Sequence, residues 1–300
     1  MARWYLILVG VCTGWGTIPL VLREVDVSPP VIAFVRVGVA ALALGTVLLA
    51  RGDADDVPRP FTVMPARCLA NGALLAAHWL TMFIAFDRAP AGTVILIIFL
   101  APVGVAAVAP KLLGEHLSTA IVAAVVVGIV GVGLIAGPAL NDADPVGLGM
   151  AVISMGLLVA LNLASKPLAG IYGGLRLAFM ETGGAAVVLA PVVLAVGTGT
   201  LGVDWPWLLL MGLVHTAVGV SLFLAALRHL PVTHVSTLSY LEPLAVVVLA
   251  WLVLGERPTP LTSLGGGLVL AAGLLVVTAG RQSSVPPEPA AQIGVVGASR

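Results

Sequence analysis

Across 300 residues the chain is 60% hydrophobic and only 9% charged, with a mean hydropathy of +1.13. A soluble domain carries about 25% charged residues, so this chain cannot coat a water-facing surface and reads as an integral membrane protein. The formal net charge is zero, and no basic stripe is present to hold nucleic acid.

A helix needs about 20 apolar residues to cross a bilayer. Ten such windows follow one another, at 4–22, 31–50, 67–86, 92–113, 118–138, 146–165, 176–197, 207–228, 232–254 and 260–280. The first is polar around Thr13 to Thr17. Arg3 ahead of an apolar run is also how a signal peptide starts, but Pro19 and Arg23–Asp26 follow instead of a small-residue cleavage site, so a retained span is expected. The sixth window carries Ser154, Asn162 and Ser165. Residues 51–66, rich in Asp and Pro, form the longest linker. Beyond Gly280 apolar periodicity stops, which predicts a disordered tail over 281–300. Cys12 and Cys68 lie far apart in apolar stretches and read as small apolar side chains.

Lys and Arg in short loops set the orientation. With ten spans, ten basic residues (Arg3, Arg51, Arg59, Arg67, Lys111, Lys166, Arg176, Arg228, Arg281 and Arg300) share the side of both termini. Three, Arg23, Arg88 and Arg257, fall on the other. That asymmetry predicts cytoplasmic termini.

The chain also repeats itself. Pro102 and Pro243 are 141 residues apart, as are the pairs Gly114-Glu115 and Gly255-Glu256. Asp87-Arg88-Ala89-Pro90 aligns with Arg228-His229-Leu230-Pro231 at the same offset. Two halves of five spans each place the second half upside down relative to the first, a known transporter plan with substrate at the repeat interface. The expected fold is therefore all-α and integral to the membrane: ten transmembrane helices as two inverted five-helix repeats. The repeats cover 1–139 and 146–280.

These residues resemble the drug/metabolite transporter superfamily, specifically the EamA-type family of ten-span carriers. The resemblance rests on Trp15-Gly16, Pro29-Pro30 with Arg36, Pro102, Gly114-Glu115 and Gly131 in the first half. In the second it rests on Thr216, Pro231, Tyr240-Leu241-Glu242-Pro243, Gly255-Glu256 and Gly273. It implies a proton-linked or facilitative carrier that exports amino acids or other metabolites across the bacterial inner membrane. The first-half copy has Ala101 where the second has Glu242, so any role of that carboxylate is one-sided.

Ionisable groups inside apolar spans are the candidates for function. Counting at about 1.5 Å per residue, His78 and Glu242 lie near mid-span and His215 close to it. Histidine changes charge near neutral pH, which brings a proton step within reach of this set. Packing alone also accounts for His78 and His215, and capping of groups loosened around Pro243 accounts for Glu242. Glu181 sits a few residues into the seventh span, where it can meet an ammonium group or pair with Arg176 or Lys166. Arg36 either snorkels to the outer face or anchors a solute carboxylate. Trp15, Trp79 and Tyr240 are candidates to line a cavity, while Trp4, Trp205 and Trp207 read as interfacial residues. Glu115 and Glu256 read as structural, starting the helices at Ser118 and Thr259. Glycines from Gly128 to Gly137 and from Gly265 to Gly273 form seams for close packing, within the bundle or in a homodimer.

The histidines lack metal-ligand spacing, and no phosphate-binding loop or dinucleotide fingerprint is present, so neither metal nor cofactor is expected. The favoured reading is a secondary transporter of a small-molecule solute, with protons as a candidate second ligand, alternating access at the repeat interface. The alternative is a membrane-embedded enzyme or lipid-handling protein, which would need a polar groove open to lipid. A channel is disfavoured by the lack of charged rings.

Overall fold

The computed structural model describes residues 2–51, 64–136, 144–197, 204–255 and 257–282. Most of the 51–66 linker, Gly137, Glu256 and the expected tail from 283 onward lie outside the described residues. Regular structure among the described residues is helical throughout. The first half comprises α1 (Ala2–Trp15), α2 (Ile18–Leu22), α3 (Pro29–Arg51), α4 (Pro65–Arg88), α5 (Ala91–Ile98), α6 (Ala101–Leu113) and α7 (Thr119–Ala136). Then come α8 (Pro145–Val196), α9 (Trp205–Leu210), a π-helical segment (Met211–Val218), α10 (Gly219–His229), α11 (Val232–Leu238), α12 (Leu241–Leu254) and α13 (Pro260–Gln282).

Eight of the described helical stretches are long and apolar enough to cross a membrane, and Thr119–Ile135 is a shorter apolar helix. The 52 residues of α8 would extend about 78 Å at 1.5 Å per residue, far beyond the ~30 Å hydrocarbon core. A break divides it: Gly173 has φ 72° and ψ 169°, a conformation closed to most side chains. Next to it, Gly174 lies against the Ser221 carbonyl and the Ala225 backbone of α10, where a methyl group has no room.

Two spans are interrupted in the same way. Between α5 and α6, Leu100 N–H donates to the Ile97 carbonyl at 3.0 Å. Between α11 and α12, Tyr240 N–H donates to Thr237 at 3.2 Å. Both are tight turns spanning three residues instead of four. The cause is proline just beyond, Pro102 and Pro243, which lacks an N–H and crowds the preceding turn. The matching prolines at the starts of these spans also agree: Pro90 has φ −55° and ψ 134°, Pro231 φ −54° and ψ 143°. The ends agree as well, with left-handed Gly114 (φ 67°) and Gly255 (φ 72°).

Glu115 differs from expectation. Ser118 starts α7 itself, accepting from Ile121 N–H at 3.3 Å. The Glu115 carboxylate instead caps α11 in the other half. It accepts from Val232 N–H at 2.6 Å, Thr233 N–H at 3.2 Å and Thr233 Oγ1 at 2.9 Å. The left-handed turn at Gly114 directs the chain there, and the free N–H groups and dipole of a helix start favour a carboxylate.

Small residues set the closest helix contacts. A Cβ at Gly72 of α4 would lie 2.7 Å from Gly184 Cα of α8. One at Gly131 of α7 would lie 2.7 Å from the Gly265 carbonyl oxygen of α13. That glycine seam therefore packs within the bundle, whereas Gly267 faces open space.

Candidate functional site

Arg36 does not snorkel. It is 5% exposed, on the face of α3 turned into the bundle. Its guanidinium carbon stacks 4.4 Å above the Trp79 ring of α4, and its Nε donates to Thr216 Oγ1 at 3.3 Å. Thr216 donates in turn to the Met211 carbonyl at 2.8 Å, a bond reaching back five residues that belongs to the π-helical segment. The wider turn presents both His215 and Thr216 to the interior. A cation held by an aromatic face and one hydroxyl keeps most of its five N–H donors for another partner.

Glu242 stands at the start of α12, just beyond the break, and is partly buried. Arg36 and Glu242 feel each other's charge, and the Cys12 thiol of α1 also lies within reach of Glu242. A first-half cation and a second-half carboxylate thus lie within electrostatic range of each other inside the bundle.

His215 closes the cluster against α1. Trp15 Nε1 donates to the His215 carbonyl at 2.8 Å, across Gly219, where a Cβ would come 2.7 Å from that nitrogen. Thr17 Oγ1 lies 2.7 Å from His215 Nε2 and donates to the Gly14 carbonyl at 2.8 Å. With the hydroxyl proton spent on Gly14, Nε2 is the donor to Thr17. Trp15, Arg36, Trp79 and His215 therefore form one constellation, joined by Thr17 and Thr216, with Glu242 in electrostatic range of Arg36.

The other three candidates lie elsewhere. His78 Nδ1 is 2.9 Å from Ser154 Oγ and 3.0 Å from the Ser154 carbonyl, tying α4 to α8. Tyr240 is buried against Gly128 of α7, with Phe99 at 6.4 Å between ring centroids. Glu181 pairs with neither Arg176 nor Lys166. Its Oε1 accepts from Asn71 Nδ2 at 2.6 Å and from Ser165 Oγ at 2.8 Å. Lys166 instead caps α10, donating to the Leu227 and Leu230 carbonyls at 2.7 Å each. Among the described residues no cluster of His, Cys, Asp and Glu is arranged to hold a metal ion.

Sequence reasoning passed over Thr17 and Asn71 as site members, and treated Ser165 only as a polar blemish in its span. The available signal was a hydrogen-bonding side chain in an otherwise apolar window, which composition alone does not rank.

A cavity of about 440 Å³ also opens between α1 and the helices from Val214 to Leu222. Leu6, Val214 and Val218 at its rim are exposed, so it opens on the outer surface of the bundle. Its walls are apolar, and its polar members Thr17 and His215 are bonded to each other.

Helices broken at matching positions of two halves, with buried polar groups beside the breaks, define a membrane transport protein. The chain belongs to the EamA-like transporter family, which matches residues 2–137 and again 145–278. It is 30% identical over 266 residues to a "Probable terminal-alkyne amino-acid exporter" of Streptantibioticus cattleyicolor, covering 88% of this chain and 84% of the relative. It is 24% identical to the "Uncharacterized transporter YxxF" of Bacillus subtilis, covering 89% and 87%. A relative from Archaeoglobus fulgidus, an "Uncharacterized transporter", is 26% identical over 87% of this chain and 91% of its own length. A solved crystal structure superposes with a TM-score of 0.81 at 18% identity, covering 95% of this chain and 100% of that one, a likeness of fold. The protein is a multi-pass membrane transporter and not an enzyme.

Proposed function

We propose that the protein is a secondary transporter exporting a zwitterionic, amino-acid-like metabolite by alternating access between two inverted five-span repeats, residues 1–139 and 146–280. Dividing α8 at Gly173 and counting the shorter α7 gives ten spans. Both termini then lie in the cytoplasm of a bacterial cell, with the chain in its inner membrane.

The placing of Arg36 and Glu242, from opposite halves, within electrostatic range of each other carries the reading. A guanidinium with free N–H donors suits a carboxylate, and a carboxylate suits an ammonium group. A zwitterion inserted between them satisfies both, while the Trp15 and Trp79 rings offer apolar surface to its side chain. His215 positions α1 against the site. His78 and Tyr240 stay in the packing behind it. The exporter named among the relatives handles an amino acid, which fits that chemistry.

Counterflow of radiolabelled neutral amino acids into proteoliposomes tests the proposal. Arg36→Gln and Glu242→Gln should each lower flux at least tenfold while the protein stays folded. Flux unaffected by either change would sink the reading. A thermal-shift screen of metabolites identifies the solute independently, since selective binding raises stability.

A further inference from the structure

We propose that Asn71, Ser165 and Glu181 form a proton-binding site at the junction of the two halves, separate from the Arg36–Glu242 pair. Glu181 is 2% exposed and Asn71 1%. The carboxylate accepts hydrogen bonds from two neutral groups, and Asn71 Nδ2 also donates to Ser165 Oγ at 2.9 Å. Neutral donors offset only part of the cost of burying a charge. Among the described residues the Asn71 carbonyl oxygen, also buried, has no hydrogen-bond partner.

One proton on Glu181 removes the buried charge. Turning the amide end for end places its oxygen where the nitrogen now stands, and the acid O–H donates to it. The 2.6 Å separation is ordinary for O–H···O and short for N–H···O. An amide serves both states because it presents a donor or an acceptor by rotation. Adding the proton neutralises the carboxylate, and releasing it restores the pair of donated bonds.

Among the described residues, the side chains hydrogen-bonded to the carboxylate are the neutral Asn71 and Ser165. From α4 the facing titratable group is Cys68, which lies beside Tyr172. Arg176 is five residues before Glu181 on the same helix and so does not share its face. α3 meets this helix at Gly45 against Phe179 and brings no titratable side chain between Arg36 and Arg51. The cluster adjoins the Gly72–Gly184 crossing, where α4 of the first half touches the second. Resting on the alternating-access reading, this places the coupling proton at that crossing and leaves Glu242 to the solute.

Infrared difference spectra of the full protein in lipid, recorded across a pH titration without solute, test the site. A protonated-carboxyl C=O band should grow on acidification, persist in Glu242→Gln and vanish in Glu181→Gln. Ser165→Ala keeps the carboxyl and should shift the band, which secures the assignment if Glu181→Gln fails to fold. A band that survives Glu181→Gln, or no band at any pH, overturns the proposal. Because no solute is present, a silent counterflow assay would count against the carrier reading alone.

Discussion

The two broken spans, α5–α6 and α11–α12, share one backbone and differ in what they carry. Both begin at an extended proline, turn tightly before a second proline and end on a left-handed glycine. At the position just past the break the first has Ala101, 1% exposed, and the second has Glu242, within reach of Arg36. A duplicated frame can therefore be loaded on one side only. The scaffold is held by residues whose covalent geometry dictates a conformation, and those recur in both halves. The chemistry is held by side chains free to change once the frame stands.

The sharpest way to break this comparison is Ala101→Glu. That carboxylate enters a fully buried site with no cation shown to meet it, and should destabilise the protein by about 3 kcal/mol or more. Thermal unfolding in lipid–detergent mixtures measures it; full stability would mean the first-half site is as polar as the second. Next is Gly131→Val, which pushes the last spans of the two halves apart and should cost about 1–3 kcal/mol. The same assay on Gly267→Ala, at a position facing open space, supplies the contrast and should show no loss.

Glu115→Ala removes three hydrogen bonds from the start of α11 and should cost about 1–2 kcal/mol. Hydrogen exchange localised to α11 distinguishes loss of a cap from general loosening. An unchanged protection pattern would show that the prolines hold the broken span unaided. The smallest effect belongs to Arg88→Ala at the exposed 3.4 Å pair with Asp144, within about 1 kcal/mol by the same thermal measurement.

Much of the frame was legible in the sequence because it is written in local terms. Apolar run length marks the eight membrane-length stretches, although the window at 146–165 stops short of the break at Gly173, and the fixed offset of prolines and Gly-Glu pairs exposes the repeat. The windows at 146–165 and 176–197 leave a gap between them, yet a single positive-φ Gly173 makes the break with helix on both sides. The π-helical segment was invisible, since its residues are as apolar as those of an α-helix. The site was legible only in part. That Arg36, His215 and Glu242 are costly in a membrane follows from residue type. That Glu181 meets Asn71, 110 residues earlier, or that Glu115 serves a helix of the other half, depends on packing that no local pattern encodes.

The π-helical segment at Met211–Val218 has a consequence for how this span separates length from phase. One residue adds about 1.5 Å along a helix but turns everything beyond it by about 100°. A wide turn in mid-membrane lets His215 and Thr216 face inward without rotating the surface that α10 presents to α1 and α8. Shortening the segment by one residue would scarcely change the span's reach across the bilayer. It would close the wide turn to an ordinary α turn, leaving Gly219–His229 in register with its neighbours while taking His215 and Thr216 out of their inward placement.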